Sequence, residues 1–188
     1  FVVLGDLHLA RPQFDAQRVG RAVADAINSV QPAVAFVCQT GDIIHGELPT
    51  HEQLNKDGVK EELDFAVTSL TDQFQLPLFI AVGNHDKNAG GTPYTDTVLP
   101  VLSRELGTPL SRTYYAFRYG NACFIFLDYG DYSETGTSMD YAAQRVFLEE
   151  TIHQARTDST IEHVFAFGHY PLWPVVRPGF GNRKFTDS

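Results

Sequence analysis

Four apolar runs of strand character in this chain each give way to a glycine and then at once to polar side chains able to hold a cation. The clusters read Gly5-Asp6-Leu7-His8, Gly41-Asp42, Gly83-Asn84-His85-Asp86 and Gly168-His169. No other feature constrains the fold as tightly. In an open α/β sheet the carboxyl ends of the strands lie side by side and form the ligand crevice, so four clusters at four strand ends are expected to converge. A glycine ahead of each cluster suits a tight exit from the strand and close approach of backbone to a bound group.

The strand candidates are residues 1–5, 33–38, 78–82, 114–119, 122–128 and 164–168. Gly120-Asn121 between the fourth and fifth predicts an antiparallel hairpin. Helical period alternates with these runs over 14–30, 52–74, 94–106 and 141–155, and Ser138 or Asp140 is placed to cap the last. In the first helix Val19, Val23, Ile27 and Val30 form one stripe. The pattern predicts an α/β domain, α+β in its layering. With 188 residues, 43% of them hydrophobic, and no repeat or linker, one domain over 1–188 is expected.

A net charge of −9 argues against a duplex-binding surface, so a nucleic-acid partner is not expected. It leaves room for a small anion, because a bound metal inverts the local field. Cys38 and Cys123 lie inside apolar runs and read as buried free thiols. No apolar stretch has the length of a membrane span, and none reads as a signal peptide. A soluble protein is expected, cytoplasmic rather than secreted. The chain opens directly in a strand, which predicts a natural N-terminus further upstream.

The convergent side chains are Asp6, His8, Asp42, Asn84, His85, Asp86 and His169. Carboxylate, imidazole and amide oxygen without thiolate suit Mn, Fe, Zn, Co or Ni. Asp6 and His8, two apart on an extended segment, point to one side and can share an ion. Asp42 has two oxygens and can bridge a pair of ions, with Asn84 and His169 completing a second site. Two ions roughly 3.5–4 Å apart clamp a phosphoryl group and activate a water. His85, with Asp86 as its orienting partner, is placed to protonate a leaving alkoxide. Singly each residue reads as a strand-end cap or turn; together they read as a metal site.

These blocks resemble four of the five ordered blocks of the calcineurin-like metallophosphoesterases, over residues 6 to 169. The resemblance implies a two-sheet β-sandwich flanked by helices and two divalent or trivalent transition metal ions. Asp6, His8 and Asp42 would hold one ion, and Asp42, Asn84 and His169 the other. A hydroxide bridging the ions would attack phosphorus, with His85 as the catalytic histidine, and Asn84, His85 and Tyr170 would contact the substrate. The arginine of an Asp-Arg-Gly block is absent from Gly41-Asp42-Ile43-Ile44-His45-Gly46, and His8 and Ile44–His45 depart from the purple acid phosphatase pattern. The form is closer to bacterial phosphoesterases and calcineurin-like phosphoesterase-domain proteins, whose substrates include phosphoproteins, phosphomonoesters and cyclic nucleotides.

The family's closing Gly-His-x-His block is not found before Ser188, so the C-terminal strands are expected to be missing and the site weakened. A catalytically silent scaffold that binds a protein partner is the alternative, disfavoured because Asp6, Asp42 and His85 are all present. Other residues stay open at this level. His45 reads as a substrate or ligand-supporting residue or a turn residue, and Asp128 as a hydrogen-bond partner of a ligand histidine or a strand end. Tyr129, Tyr132, Tyr170 and Trp173 read as pocket wall or core, and Pro171, Pro174 and Pro178 as a cleft rim. His51, His153 and His163 read as surface residues, and Lys60-Glu61-Glu62-Leu63-Asp64 as a solvated helix face.

Overall fold

The computed structural model describes residues 1–9, 16–48, 50, 52–128 and 141–170. Among these residues, six strands and four α-helices follow in the order β1 (Val2–Leu4), α1 (Ala16–Asn28), β2 (Val37–Gln39), α2 (Lys56–Phe74), β3 (Leu78–Ile80), α3 (Thr92–Leu106), β4 (Tyr115–Tyr119), β5 (Ala122–Phe126), α4 (Tyr141–Thr157) and β6 (His163–Phe167). A single 3₁₀ turn, His85–Lys87, precedes α3. β1, β2 and β3 form a parallel sheet in that order, and β4, β5 and β6 form a second sheet. In the second, β4 and β5 are the expected antiparallel hairpin, while β6 runs parallel to β5.

The elements fall where the periodicity places them, with displaced ends. α2 begins at Lys56 rather than 52, because Gln53 bridges to Glu47 and Asn55 caps the helix by accepting the Gly58 N–H at 2.9 Å. α3 begins at Thr92 with Pro93 in its first turn, where a missing N–H costs nothing. The first sheet has three-residue strands because the chain leaves the ladder early. Val82, for example, bridges to Asp128 beyond β5 and so ties one sheet to the other.

The two sheets face each other across an aromatic layer. Phe36 meets Phe124 with ring centroids 5.0 Å apart, and Phe79 meets Phe117 at 4.0 Å. β5 shows why both of its faces are apolar. Ala122, Phe124 and Phe126 enter the main core, which also holds residues of α1, α2 and α3. The alternating Cys123, Ile125 and Leu127 pack on Phe147, Leu148, Ile152 and Ala155 of α4. The result is a two-sheet sandwich with helices outside both faces, the expected fold class. Both cysteines are buried and free, and burial pushes the Cys38 thiol up to about 12, leaving it unreactive. Among the described residues no helix is long and apolar enough to cross a membrane.

Tyr115 joins the sheets by a polar link. Its hydroxyl accepts the Ile80 N–H at 2.9 Å and donates to the Ile80 carbonyl at 3.1 Å, away from solvent. Tyr115→Phe is expected to destabilise the fold by about 1–3 kcal/mol, because the buried Ile80 N–H loses its acceptor. A urea midpoint lowered at unchanged slope is the measurement. An unmoved midpoint would mean that the link contributes nothing.

Candidate metal centre

The carboxyl ends of β1, β2 and β3 open onto one edge of the first sheet, and β6 delivers His169 to the same place from the second. The loop after β1 lies along the loop after β2. The Asp6 N–H donates to the Gly41 carbonyl at 3.3 Å, that of His8 to Asp42 at 3.0 Å and that of Leu9 to Ile43 at 2.8 Å. Asp6, His8 and Asp42 all have left-handed backbone, with φ of 48°, 45° and 54°. Such positions cost on the order of 1–3 kcal/mol each in a non-glycine residue and persist where surrounding pairing over-determines them. Gly41 and Gly83 permit the contact between loops. A Cβ on Gly41 would lie 2.7 Å from the Gly83 nitrogen, and one on Gly83 would lie 2.1 Å from Asp42 Oδ1.

Asp42 is the centre of the arrangement and is 3% exposed. Its Oδ1 accepts the backbone N–H of His85 at 2.9 Å. Its Oδ2 faces the Nε2 atoms of His169, His8 and His85 at 3.2, 3.8 and 4.0 Å. The Asn84 side-chain oxygen lies 3.1 Å from His169 Nε2. Each of the three rings turns its other nitrogen onto a backbone carbonyl: His8 Nδ1 to Ile44 at 3.0 Å, His85 Nδ1 to His45 at 2.5 Å, His169 Nδ1 to Thr40 at 3.2 Å. A carbonyl only accepts, so Nδ1 carries the proton in all three rings. In a neutral ring Nε2 then holds the free lone pair, and it is Nε2 that points at Asp42. Fixing the tautomer from behind in this way is how proteins prepare imidazole ligands.

Among the described residues, two groups of donors lie with their ligand atoms within 4.8 Å of one another: Asp6, His8 and Asp42, and His8, His45 and His85. The oxygen and nitrogen donor set fits a divalent or trivalent transition ion. Burial lowers the pKa of His8, partly offset by Asp42. Burial works the same way on His169, but the hydrogen bond and charge of Asp42 outweigh it, so its pKa is raised. Asp42 itself, despite its burial, is held below the usual carboxylate range by His169 and His85.

Asp6, His8, Asp42, Asn84, His85 and His169 are thus brought together from four strand ends. Tyr170 lies beside them with its ring edge-on to His169 at 4.9 Å. Asp86 does not orient His85 as expected. Fully buried, it accepts backbone N–H groups of Asp42 and Ile43 at 2.9 Å and of Gly83 at 2.8 Å, and so ties the two site loops together. Burial and the neighbouring Asp42 raise its pKa to about 6, against the pull of those donors. The group on the His85 ring is the His45 carbonyl instead.

Asp128 turns to Lys87 at 2.6 Å and to Thr113 rather than to a ligand histidine. His45, which sequence left open, stacks on the His85 ring at 5.2 Å and 16°. Within the run read as solvated, Lys60 and Asp64 do pair on the surface, but Glu62 turns inward to the Gly46 N–H at 2.8 Å. Its spacing from the buried Val59 and Ala66, three and four residues away, was the available signal. His153 and His163 are exposed. His51, Tyr129, Tyr132, Trp173, Pro171, Pro174, Pro178, Ser138 and Asp140 lie outside the described residues.

The two-sheet sandwich thus carries, at its strand ends, a carboxylate ringed by imidazoles. The calcineurin-like phosphoesterase family matches residues 1–187, and the chain belongs to that family. The serine/threonine-protein phosphatase CPPED1 of Danio rerio is 29% identical over 174 residues, covering 90% of this chain and 52% of that protein. The chain therefore spans about half the length of this curated relative. A purple acid phosphatase, PPD1 from yellow lupin seeds, shares the fold with a TM-score of 0.52 at 14% identity, over 88% of this chain and 29% of that one.

Proposed function

We propose that this chain is a metal-dependent phosphoester hydrolase folded as a single domain, with its site built around Asp42. The observation that carries the reading is the set of Nε2 atoms turned onto the Asp42 carboxylate, each ring held from behind by a carbonyl. Asp6, His8 and Asp42 would hold one ion, and Asp42, Asn84 and His169 a second. When bound, such ions neutralise phosphate oxygens and lower the pKa of a water toward neutrality.

The remaining work falls to the chain's own groups. Asp42 keeps the ligands of both sites in one register. His85, protonated on both nitrogens, keeps Nδ1–H on the His45 carbonyl and gives the Nε2 proton to the departing oxygen. It is left as the neutral Nδ1-protonated ring, so the proton balances. Tyr170, packed on His169, walls the substrate side. The name of the zebrafish relative adds phosphoserine and phosphothreonine peptides to phosphomonoesters and nucleotides as substrates to try. The charge of −9 disfavours polymeric nucleic acid.

The test is elemental analysis and hydrolysis of the purified protein, stripped with chelator and reconstituted with manganese. Two ions per chain should return together with turnover of an aryl phosphate, an aryl phosphodiester or a phosphothreonine peptide. Failure to take up any transition ion would leave a non-catalytic scaffold as the better reading.

A further inference from the structure

We propose that Glu62 is a positioning residue for His85, acting through the peptide unit that joins His45 to Gly46. This rests on the reading of His85 as the proton donor. The two ends of that one planar unit are both engaged. Its carbonyl oxygen takes the His85 Nδ1–H, and its N–H, carried by Gly46, donates to Glu62 Oε2 at 2.8 Å. The His45 backbone adds a smaller pull on the same carboxylate. Imidazole, amide and carboxylate therefore stand in line, and each hydrogen bond polarises the next. A negative charge at the N–H end makes the carbonyl a stronger acceptor, which holds the ring in its Nδ1–H tautomer and fixes the direction of Nε2.

Further observations support the arrangement. Glu62 lies on α2 beside Val59, Leu63 and Ala66, all at 0% exposure, so its backbone is fixed by the core. Burial raises the Glu62 pKa, while the backbone of Gly46 and His45 and the His85 charge pull it back down. The turn also packs directly on the segment it serves: a Cβ on Gly46, whose φ is +67°, would lie 2.7 Å from the His85 carbonyl oxygen. Asp86, the neighbouring carboxylate in sequence, is committed to backbone groups elsewhere.

Glu62→Gln keeps an oxygen for the Gly46 N–H and removes the charge, whereas Glu62→Ala removes both. The first readout is the His85 ring in nitrogen-15-edited NMR of the metal-free protein, assigned with His85→Gln. The wild-type ring should be protonated at Nδ1 with a downfield, exchange-protected proton. In Glu62→Gln that proton should move upfield and exchange at least several-fold faster. The second readout is turnover of the reconstituted protein on a poor and a good leaving group. For an alkyl phosphate kcat should fall about tenfold in Glu62→Gln at unchanged KM and metal content, part of the ~10²–10⁴ that general acids contribute. For a nitrophenyl phosphate it should stay within about twofold, and Glu62→Asp should recover part of the loss.

An unaltered His85 ring signal in Glu62→Gln overturns the proposal, as does an equal loss on both substrates. If the wild type hydrolyses nothing with any metal, the hydrolase reading fails. The ring signal then still decides whether Glu62 sets His85.

Discussion

Asparagine in place of Asp42 is expected to leave a folded chain that retains less than one transition ion and hydrolyses phosphoesters about a thousandfold more slowly, or worse. A thousandfold corresponds to ~4 kcal/mol of lost barrier reduction. The variant is chosen because the two oxygens of Asp42 have separable duties. Oδ1 accepts the His85 N–H at 2.9 Å, and an asparagine oxygen can go on doing so. Oδ2 faces three imidazole nitrogens within 4.0 Å, and an amide there brings no charge to hold a cation. Alanine would remove both functions and add the cost of an unpaired buried N–H, about 1–3 kcal/mol. Melting curves with and without manganese separate the effects. Wild type should be stabilised by the ion through mass action, and the Asn variant should not. An Asn variant that keeps two ions and its turnover would remove Asp42 from the role of shared ligand.

How far this site was legible from sequence depends on which physical rule governs each residue. Parallel strands align their carboxyl ends, so the meeting of Asp6, Asp42 and Asn84 followed from the strand pattern alone. His169 followed only because β6 runs parallel to β5 and ends at the same edge. Asp86 was misread for a reason found in the 3₁₀ turn: consecutive residues there point in different directions, and the carboxylate turns into the core while the imidazole turns to the site. Adjacency in the chain is not adjacency of side chains. Glu62 was hidden by composition, since one inward carboxylate among Lys60, Glu61 and Asp64 looks like any charged helix face. Its destination is the N–H of a turn 16 residues earlier, which no local pattern encodes. His45 stayed open because its contribution is double. The backbone carbonyl holds His85, and the side chain joins His8 and His85 in a donor cluster.

Alanine in place of His85 separates the last two roles that the geometry allows that residue. If His85 is the proton donor, His85→Ala should keep both ions and lose about 10²–10⁴ in kcat on substrates with poor leaving groups. It should lose far less where the leaving oxygen departs without a proton. Metal content is expected to survive because the His85 Nε2 is the most distant of the three from Asp42 Oδ2, at 4.0 Å against 3.2 Å for His169 and 3.8 Å for His8. The contact that His85 does make with Asp42 Oδ1 comes from its backbone N–H, which alanine retains. The structure also permits a competing result. The ligand nitrogens of His85, His8 and His45 lie within 4.8 Å of one another, so an ion held by that group would be lost with the ring. A loss of one metal equivalent and an equal fall in kcat on good and poor leaving groups would make His85 a ligand, and the proton would have to come from another source. A fall confined to poor leaving groups, at full metal content, leaves His85 as the donor.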